Sequence, residues 1–462
     1  MSVSLGNERV VLDRTAIDRM RAAHQVVIDA LARGDAVYGL TTGVAERKRI
    51  VLSAADSQSF SRRLIRTHQI AQGPKAPPAL VRATMCCLAN GFAKGYSGVR
   101  PELAQSIVNS LNEGVVPEVR TLGSVGEADL GPLADLAAGL LSRGDIELEA
   151  SEGLALIDNN AFSTAAASLA VSGAERLVDV LDVAAALDLE AFAANLSALD
   201  EVTKRASQHQ GLATSRDRVV SLLQESFLWH PGEARNLQDP LSFRCIPQVH
   251  GAARDAITHA RQVLEVELNS AQGNPLVADG NRIVSVGGFD GVNIALVCDF
   301  VRVGLASAIG SACERSVKLL QATYSGLSAG LAEEEQDGDD ALAELAVAAQ
   351  SIAIEARLLA QPVSFELVST SKAEGIEDRA SMAPLSARRL DQMIELSARV
   401  VAIELVVAAQ ALDLRLRARN ETSSCLGRGT RRVHAFVREN VPFTGRGDPP
   451  PDNLELLADA VL

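Results

Sequence analysis

The chain has three tyrosines in 462 residues. One of them, Tyr38, lies in VYGLTTGVAERKRI, beside Gly39 and ahead of paired threonines and Gly43. A Gly-rich loop that carries a tyrosine can close as a lid and deliver a phenolate base; a tyrosine packed for its ring alone is the plainer alternative. His68 ends the helical pattern RRLIRTH, where a lone histidine is either a working acid–base group or a satisfied structural residue. NLQDPLSFRCIPQVHG gathers Gln238, Asp239, Arg244 and Gln248 around two prolines, which argue for a structured connection rather than a helix interior. Arg244 has the fork to clamp a carboxylate, or to pair with Asp239. Asp158, Asn159 and Asn160 follow the apolar run GLALI and suit a polar substrate, or a helix cap at Asn160 or Ser163. Glu377 and Asp378 stand in GIEDRASMAP just ahead of a helical pattern, where a solvated loop needs no further role.

Helices must position these residues. One is expected from Asp13 to Arg33, stopping at Gly34, after a short strand in residues 1 to 12. Amphipathic patterns follow at Ser57 to Ala71, Pro78 to Lys94 and Pro101 to Glu113. Longer ones run over Gly173 to Asn195, Val249 to Ser270, Phe289 to Leu320, Ala341 to Leu359 and Ser386 to Leu416. Phe289 to Leu320 is apolar around much of its girth, the mark of a buried helix. The expected fold is mainly α, a long-helix bundle, with a smaller mixed region at residues 1–175 and the bundle at 176–462. Gln336 to Asp340 reads as an acidic exposed connection, and residues 444–453 as a terminal loop.

Composition narrows the functions. Apolar residues are 47 % and aromatics only 3 %, which favours close helix packing over a sandwich or barrel. The formal charge of −14 disfavours nucleic acid. The apolar stretch from Val400 to Leu412 is broken by Glu404 and Gln410, so no membrane span is expected, and MSVSLGNERVVL has no secretory pattern. Six irregularly placed cysteines without a CxxC read as reduced thiols in a cytoplasmic protein. No GxGxxG, Walker loop, HExxH or Cys/His metal spacing occurs, so no nucleotide or metal cofactor is expected.

Taken in order, VYGLTTG, NGFAKGYSGVRPELAQSIVNSLNEGVVPEVRTLGSVG (90–126), EGLAL, QDPLSFRCIPQVHGA, NSAQGNPLV, VGGFDG and EDRASMAP resemble the histidine and aromatic amino acid ammonia-lyases and aminomutases, over roughly residues 10 to 417. The resemblance implies a bundle of the aspartase/ammonia-lyase type, assembled as a homotetramer whose active sites draw residues from three chains. It implies that Tyr38 is the loop base and that His68 is the substrate-binding histidine of the histidine-specific members. Gln238 and Arg244 match the polar pair near the substrate carboxylate, Phe289 an aromatic beside the cofactor, and Glu377 the glutamate of the histidine-specific branch.

Three departures all touch the cofactor half of that chemistry. The family reads Ala-Ser-Gly-Asp-Leu after GSVG and cyclises Ala-Ser-Gly into a methylidene-imidazolone electrophile; this chain reads Glu127-Ala128-Asp129-Leu130. A family asparagine is Asp158, and a family tyrosine is Leu241. The reading is therefore a cofactor-free lyase that eliminates an amine from an amino-acid-derived carboxylate or betaine, with Tyr38 lowered in pKa by Arg244 or by the substrate's own cation. An isomerase, cyclase or conjugate-addition enzyme is the alternative within catalysis. A non-catalytic tetramer is the alternative outside it, against which the retained polar pocket argues.

Overall fold

In the computed structural model, residues 1–144, 146–333, 340–365 and 375–461 are described. The chain runs α1 (Arg14–Arg33), α2 (Ala54–His68), β1 (Gln72–Lys75), α3 (Pro78–Ala93), α4 (Pro101–Asn112), β2 (Arg120–Leu122), α5 (Leu130–Leu141), α6 (Glu152–Ile157) and α7 (Ala161–Phe192). It continues with α8 (Glu201–Ala206), α9 (Gln210–Leu222), α10 (Leu241–Arg244), α11 (Ile246–Leu268), β3 (Leu276–Ala278), β4 (Arg282–Val284) and α12 (Val292–Leu319). Last come α13 (Ala322–Ser325), α14 (Leu345–Leu358), α15 (Ala383–Arg419), α16 (Arg428–Asn440) and α17 (Glu455–Val461). The fold is mainly α, as expected. β1 pairs antiparallel with β2, and β3 with β4.

Local chemistry explains the helix starts. The Asp13 carboxylate accepts the Thr15 amide ahead of α1, and the Ser53 hydroxyl accepts the Asp56 amide ahead of α2. Pro78 and Pro101 open α3 and α4, where a missing N–H costs nothing. Residues 1 to 12 form no strand: the Asn112 side chain takes both the Val10 amide (2.9 Å) and its carbonyl (2.8 Å), so a side chain stands where a partner strand would be. The two-proline segment is more helical than expected, because Pro247 sits in the first turn of α11, where proline is tolerated. The acidic connection before Asp340 falls largely outside the described residues.

The chain divides into two units. The first comprises residues 1–169, 261–298 and 362–388, and the second 170–260, 299–361 and 389–462. The expected division at residue 175 lies near the first break, but two later stretches return to the first unit. The core of the first unit packs Met20, Ile65, Met85, Ile107, Leu111 and Leu133, from α1 to α5.

The second unit is built on α7, α12 and α15. By length and composition α12 would cross a membrane (mean hydropathy 1.7), which the broken stretch at Val400 to Leu412 had not suggested; just over half of its apolar window is buried inside the protein. It also carries the buried Arg315. The Arg315 Nε donates to Asp188 on α7 (2.8 Å) and to Glu404 on α15 (2.8 Å), and Nη1 donates to the Ser242 carbonyl (3.1 Å). All three side chains are fully buried, and burial, then Glu404, pushes Asp188 well above the carboxylate range.

Removing one member of such a set strands charge in a dry core. Arg315→Met is expected to cost about 3–5 kcal/mol, read as a lower urea midpoint at unchanged m-value.

Candidate active site

The loop carrying Tyr38 is pressed onto α6. Gly39 has a left-handed φ of 69°, and a Cβ there would stand 2.3 Å from Leu154 Cδ2, so glycine is needed on both counts. The Ala45 amide donates to the Tyr38 hydroxyl oxygen (2.9 Å), a bond that favours phenolate. Burial nevertheless dominates and raises the phenol's pKa, and the Asp158 and Glu377 carboxylates raise it further. The expected lowering of this phenol by Arg244 is not found within this chain, where the charged groups acting on Tyr38 are acids.

Asp158 ends α6 and is 8 % exposed. Burial pushes its carboxyl up to about 7, Glu377 adds to this, and the Asn274 side chain opposes it with a hydrogen bond. Tyr38, Asp158 and Glu377 thus act on one another within the first unit. Neither Asn274 nor its role was picked out from the sequence, where it is one amide in NSAQGNPLV; only the fold brings it to Asp158.

The segment Ser124 to Asp129 lies against the same elements. The Asp129 amide donates to the Asn159 carbonyl (2.8 Å), and the Ala128 amide to the Phe289 carbonyl (3.1 Å). The Asn160 side chain donates to that same carbonyl (2.5 Å), so the backbone of Phe289 ties both loops together. The buried Asp129 carboxylate accepts from the Ser124 hydroxyl (2.9 Å), the Ser163 hydroxyl (2.6 Å) and the Ser163 amide (2.7 Å). Gly126 is required where a Cβ would meet Ser381 Oγ at 2.1 Å. Burial pushes Glu127 up to about 7; Asp290 adds to the shift, while Arg379 and the Ser381 amide oppose it.

These residues do not fit the precursor of a methylidene-imidazolone. Two residues rather than three separate Gly126 from Asp129-Leu130, and neither has a β-hydroxyl to lose. Ala128 sits in the turn with φ 62°, and the amide that would have to attack, that of Asp129, is already bonded to Asn159.

The other expected residues are placed as follows. His68 ends α2, and its Nδ1 is bonded to the Leu64 carbonyl (2.8 Å), which leaves Nε2 outside that bond. Phe289 is half-buried and Glu377 exposed. Gln238 and Arg244 lie in the second unit, both exposed. The Arg244–Asp239 pair weighed as the alternative to a carboxylate clamp does not form: Asp239 accepts from the Asn195 backbone amide (2.6 Å) and the Asn236 side chain (3.2 Å). The capping role considered for Asn160 or Ser163 falls to Asn159, whose side chain accepts the Ala161 amide (3.0 Å).

The profile of the aromatic amino acid lyases matches residues 1–439. The chain belongs to that family. Histidine ammonia-lyase of Caldanaerobacter subterraneus subsp. tengcongensis is 33 % identical over 456 residues, 94 % of this chain and 88 % of that one. Ergothionase of Treponema denticola, an ergothioneine-degrading enzyme, superposes with a TM-score of 0.92 at 26 % identity, over 100 % of this chain and 94 % of that one. Tyrosine aminomutase of Streptomyces globisporus does so with a TM-score of 0.91 at 27 % identity, over the same shares. Membership of this family makes the protein a carbon–nitrogen lyase.

Asp158 gives a pH signature. Its folded carboxyl keeps its proton to higher pH than the unfolded one, so the stability it contributes is full below about pH 4 and is lost as pH rises towards 7. Asp158→Asn is uncharged throughout. It is expected to exceed the parent in unfolding free energy at pH 8, by about 4 kcal/mol at most. The gain should shrink steadily towards pH 4 in urea titrations across that range.

Proposed function

We propose that this lyase works without an internally built electrophile and eliminates an amine that is already a good leaving group. The observation that carries this is Glu127-Ala128-Asp129, which supplies no serine to dehydrate and whose Asp129 amide is engaged. An ammonia-lyase needs an electrophile because a free amine leaves poorly. A quaternary ammonium leaves as a neutral amine and needs none. Similarity to an enzyme that degrades ergothioneine, itself a trimethylated betaine, supports this substrate class.

In this mechanism the Tyr38 phenolate takes the β-proton. The C–H pair becomes the Cα–Cβ double bond, the Cα–N bond breaks, and trimethylamine departs with that electron pair. The products are an acrylate, the amine and the proton on Tyr38. Asp158 and Glu377 face the cationic end of the substrate, where a carboxylate suits a permanent charge. His68, through Nε2, and Phe289 line the side-chain end of the substrate. Arg244, with Gln238, clamps the carboxylate. Its guanidinium has no ion-pair partner among the described residues, which suits a residue offered to a neighbouring copy in a cytoplasmic homotetramer. Phe300 and Val303 on α12 and Val347, Ile354 and Leu358 on α14 are exposed, and other copies would cover them. A second reading, isomerisation, draws on the likeness to an aminomutase and would show as a rearranged product without amine release.

The test is a panel of amino acids and their trimethylated betaines, followed by trimethylamine release and acrylate absorbance. Betaines are expected to turn over and the parent amino acids not. Tyr38→Phe should lower kcat by about 100-fold or more with substrate binding retained. An intact mass short by two waters, with a new near-ultraviolet band, would overturn the cofactor-free reading.

A further inference from the structure

Three arginines of the second unit converge at the ends of α7 and α13, and carboxylates pair with only one of them. Arg415, half-buried on α15, donates from Nε to the Ala191 carbonyl (2.8 Å) and from Nη2 to the Ser325 carbonyl (3.0 Å). Arg235, exposed in the segment that leads to Gln238, donates from Nη1 to the Tyr324 carbonyl (2.6 Å). Tyr324 and Ser325 are consecutive at the end of α13, so the two guanidiniums are neighbours. Arg419 is the third, and it binds Glu233 through Nη1 (2.6 Å) and Glu421 through Nε (3.0 Å). Among the described residues neither Arg235 nor Arg415 makes an ion pair, although the Asp239 carboxylate acts electrostatically on Arg235.

Carbonyl oxygens are neutral and offset the charge of a guanidinium only in part. A guanidinium carries five N–H donors; among the described residues Arg235 commits one of them and Arg415 two. Both forks are nevertheless held in place. The Arg235 guanidinium carbon lies 5.3 Å from the centre of the buried Phe192 ring. Gly326, with φ 65°, leaves that carbon room, since a Cβ there would stand 3.1 Å from it. Burial, then the Arg235 and Arg419 charges, pulls the Arg415 guanidinium down to about 10. We propose that Arg235 and Arg415 form a binding site for a small tetrahedral oxyanion, phosphate or a phosphate monoester, made of arginines other than the one assigned to the substrate carboxylate. A planar carboxylate serves one fork edge to edge, whereas the oxygens of a tetrahedral ion reach two forks that come from different elements. The site adjoins α10 through packing: Phe192 stacks on Phe243 (4.1 Å), the residue before Arg244.

The test is isothermal titration calorimetry of the full chain with sodium phosphate, glycerol 2-phosphate and sodium acetate at equal ionic strength. Phosphate or its ester is expected to bind saturably, and acetate about tenfold or more weakly. The tighter of the two phosphates tells whether a free ion or an ester is the ligand, and either supports the site. Arg235→Gln is expected to weaken binding by about tenfold or more. Arg235→Lys keeps the charge and loses the fork, so it should weaken binding less, and it serves where the glutamine variant is unstable. Arg244→Gln should bind like the parent. Thermal melts separate the site from a purely structural role. Loss of the Tyr324 bond and the Phe192 contact lowers the midpoint equally with and without phosphate, whereas loss of a site removes the phosphate-dependent part. Phosphate also stabilises proteins by exclusion from their surface, but that effect does not saturate and survives Arg235→Gln. The site is refuted by any of four results: no saturable binding to the parent, acetate bound as tightly as phosphate, binding unchanged in both Arg235 variants, or binding lost in Arg244→Gln.

Discussion

A buried carboxylate that accepts three hydrogen bonds holds together the loops of the first unit around Asp158. Asp129 is fully buried and draws the Ser124 hydroxyl and both the amide and the hydroxyl of Ser163 onto its two oxygens. Leaving such a group unpaired in a dry interior is costly, so the three bonds form together or the loop does not sit there at all. Once they form, the segment from Ser124 to Asp129 is pinned to the start of α7. The Asp129 amide then meets the Asn159 carbonyl, and the Phe289 carbonyl serves both Ala128 and Asn160. The position of Asp158, one residue before Asn159, follows from this knot.

The two units handle buried charge differently. In the second unit Arg315 stands between Asp188 and Glu404, and the three form a compensated set that braces α7, α12 and α15. In the first unit Asp158 has an amide for a partner and an acid for a neighbour. Uncompensated burial is expensive in a structural site and useful in a binding site, because a cationic ligand supplies what the protein omits. The same physics raises Glu127, whose Oε1 is enclosed without a hydrogen-bond partner.

Loss of the cofactor triad and the change to a carboxylate at Asp158 are chemically consistent. The family electrophile works by bonding to an amine. A quaternary nitrogen has no lone pair to bond with and no need of the help. In the proposed reaction it needs a negative environment, and the acids beside Tyr38 in the first unit are Asp158 and Glu377.

The amino-acid order alone determined much. Helical periodicity located most of the long helices to within about four residues at each end, because apolar spacing and proline or capping starts are local properties; α7 starts at Ala161 rather than Gly173, and α5, α9 and α16 were not picked out. Motif order pointed to the family, and the missing serine and glycine were visible in GSVGEADLGPL. Tertiary structure decided the rest. Residues 1 to 12 alternate like a strand, yet Asn112 captures Val10, a partner 102 residues away that no local pattern reveals. Asn274 becomes the partner of Asp158 only by folding. The sign of the shift at Tyr38 was also out of reach of the sequence. Arg244 is the conspicuous cation in the chain, but what sets a phenol's acidity is burial and the charges that end up beside it, and those are two acids.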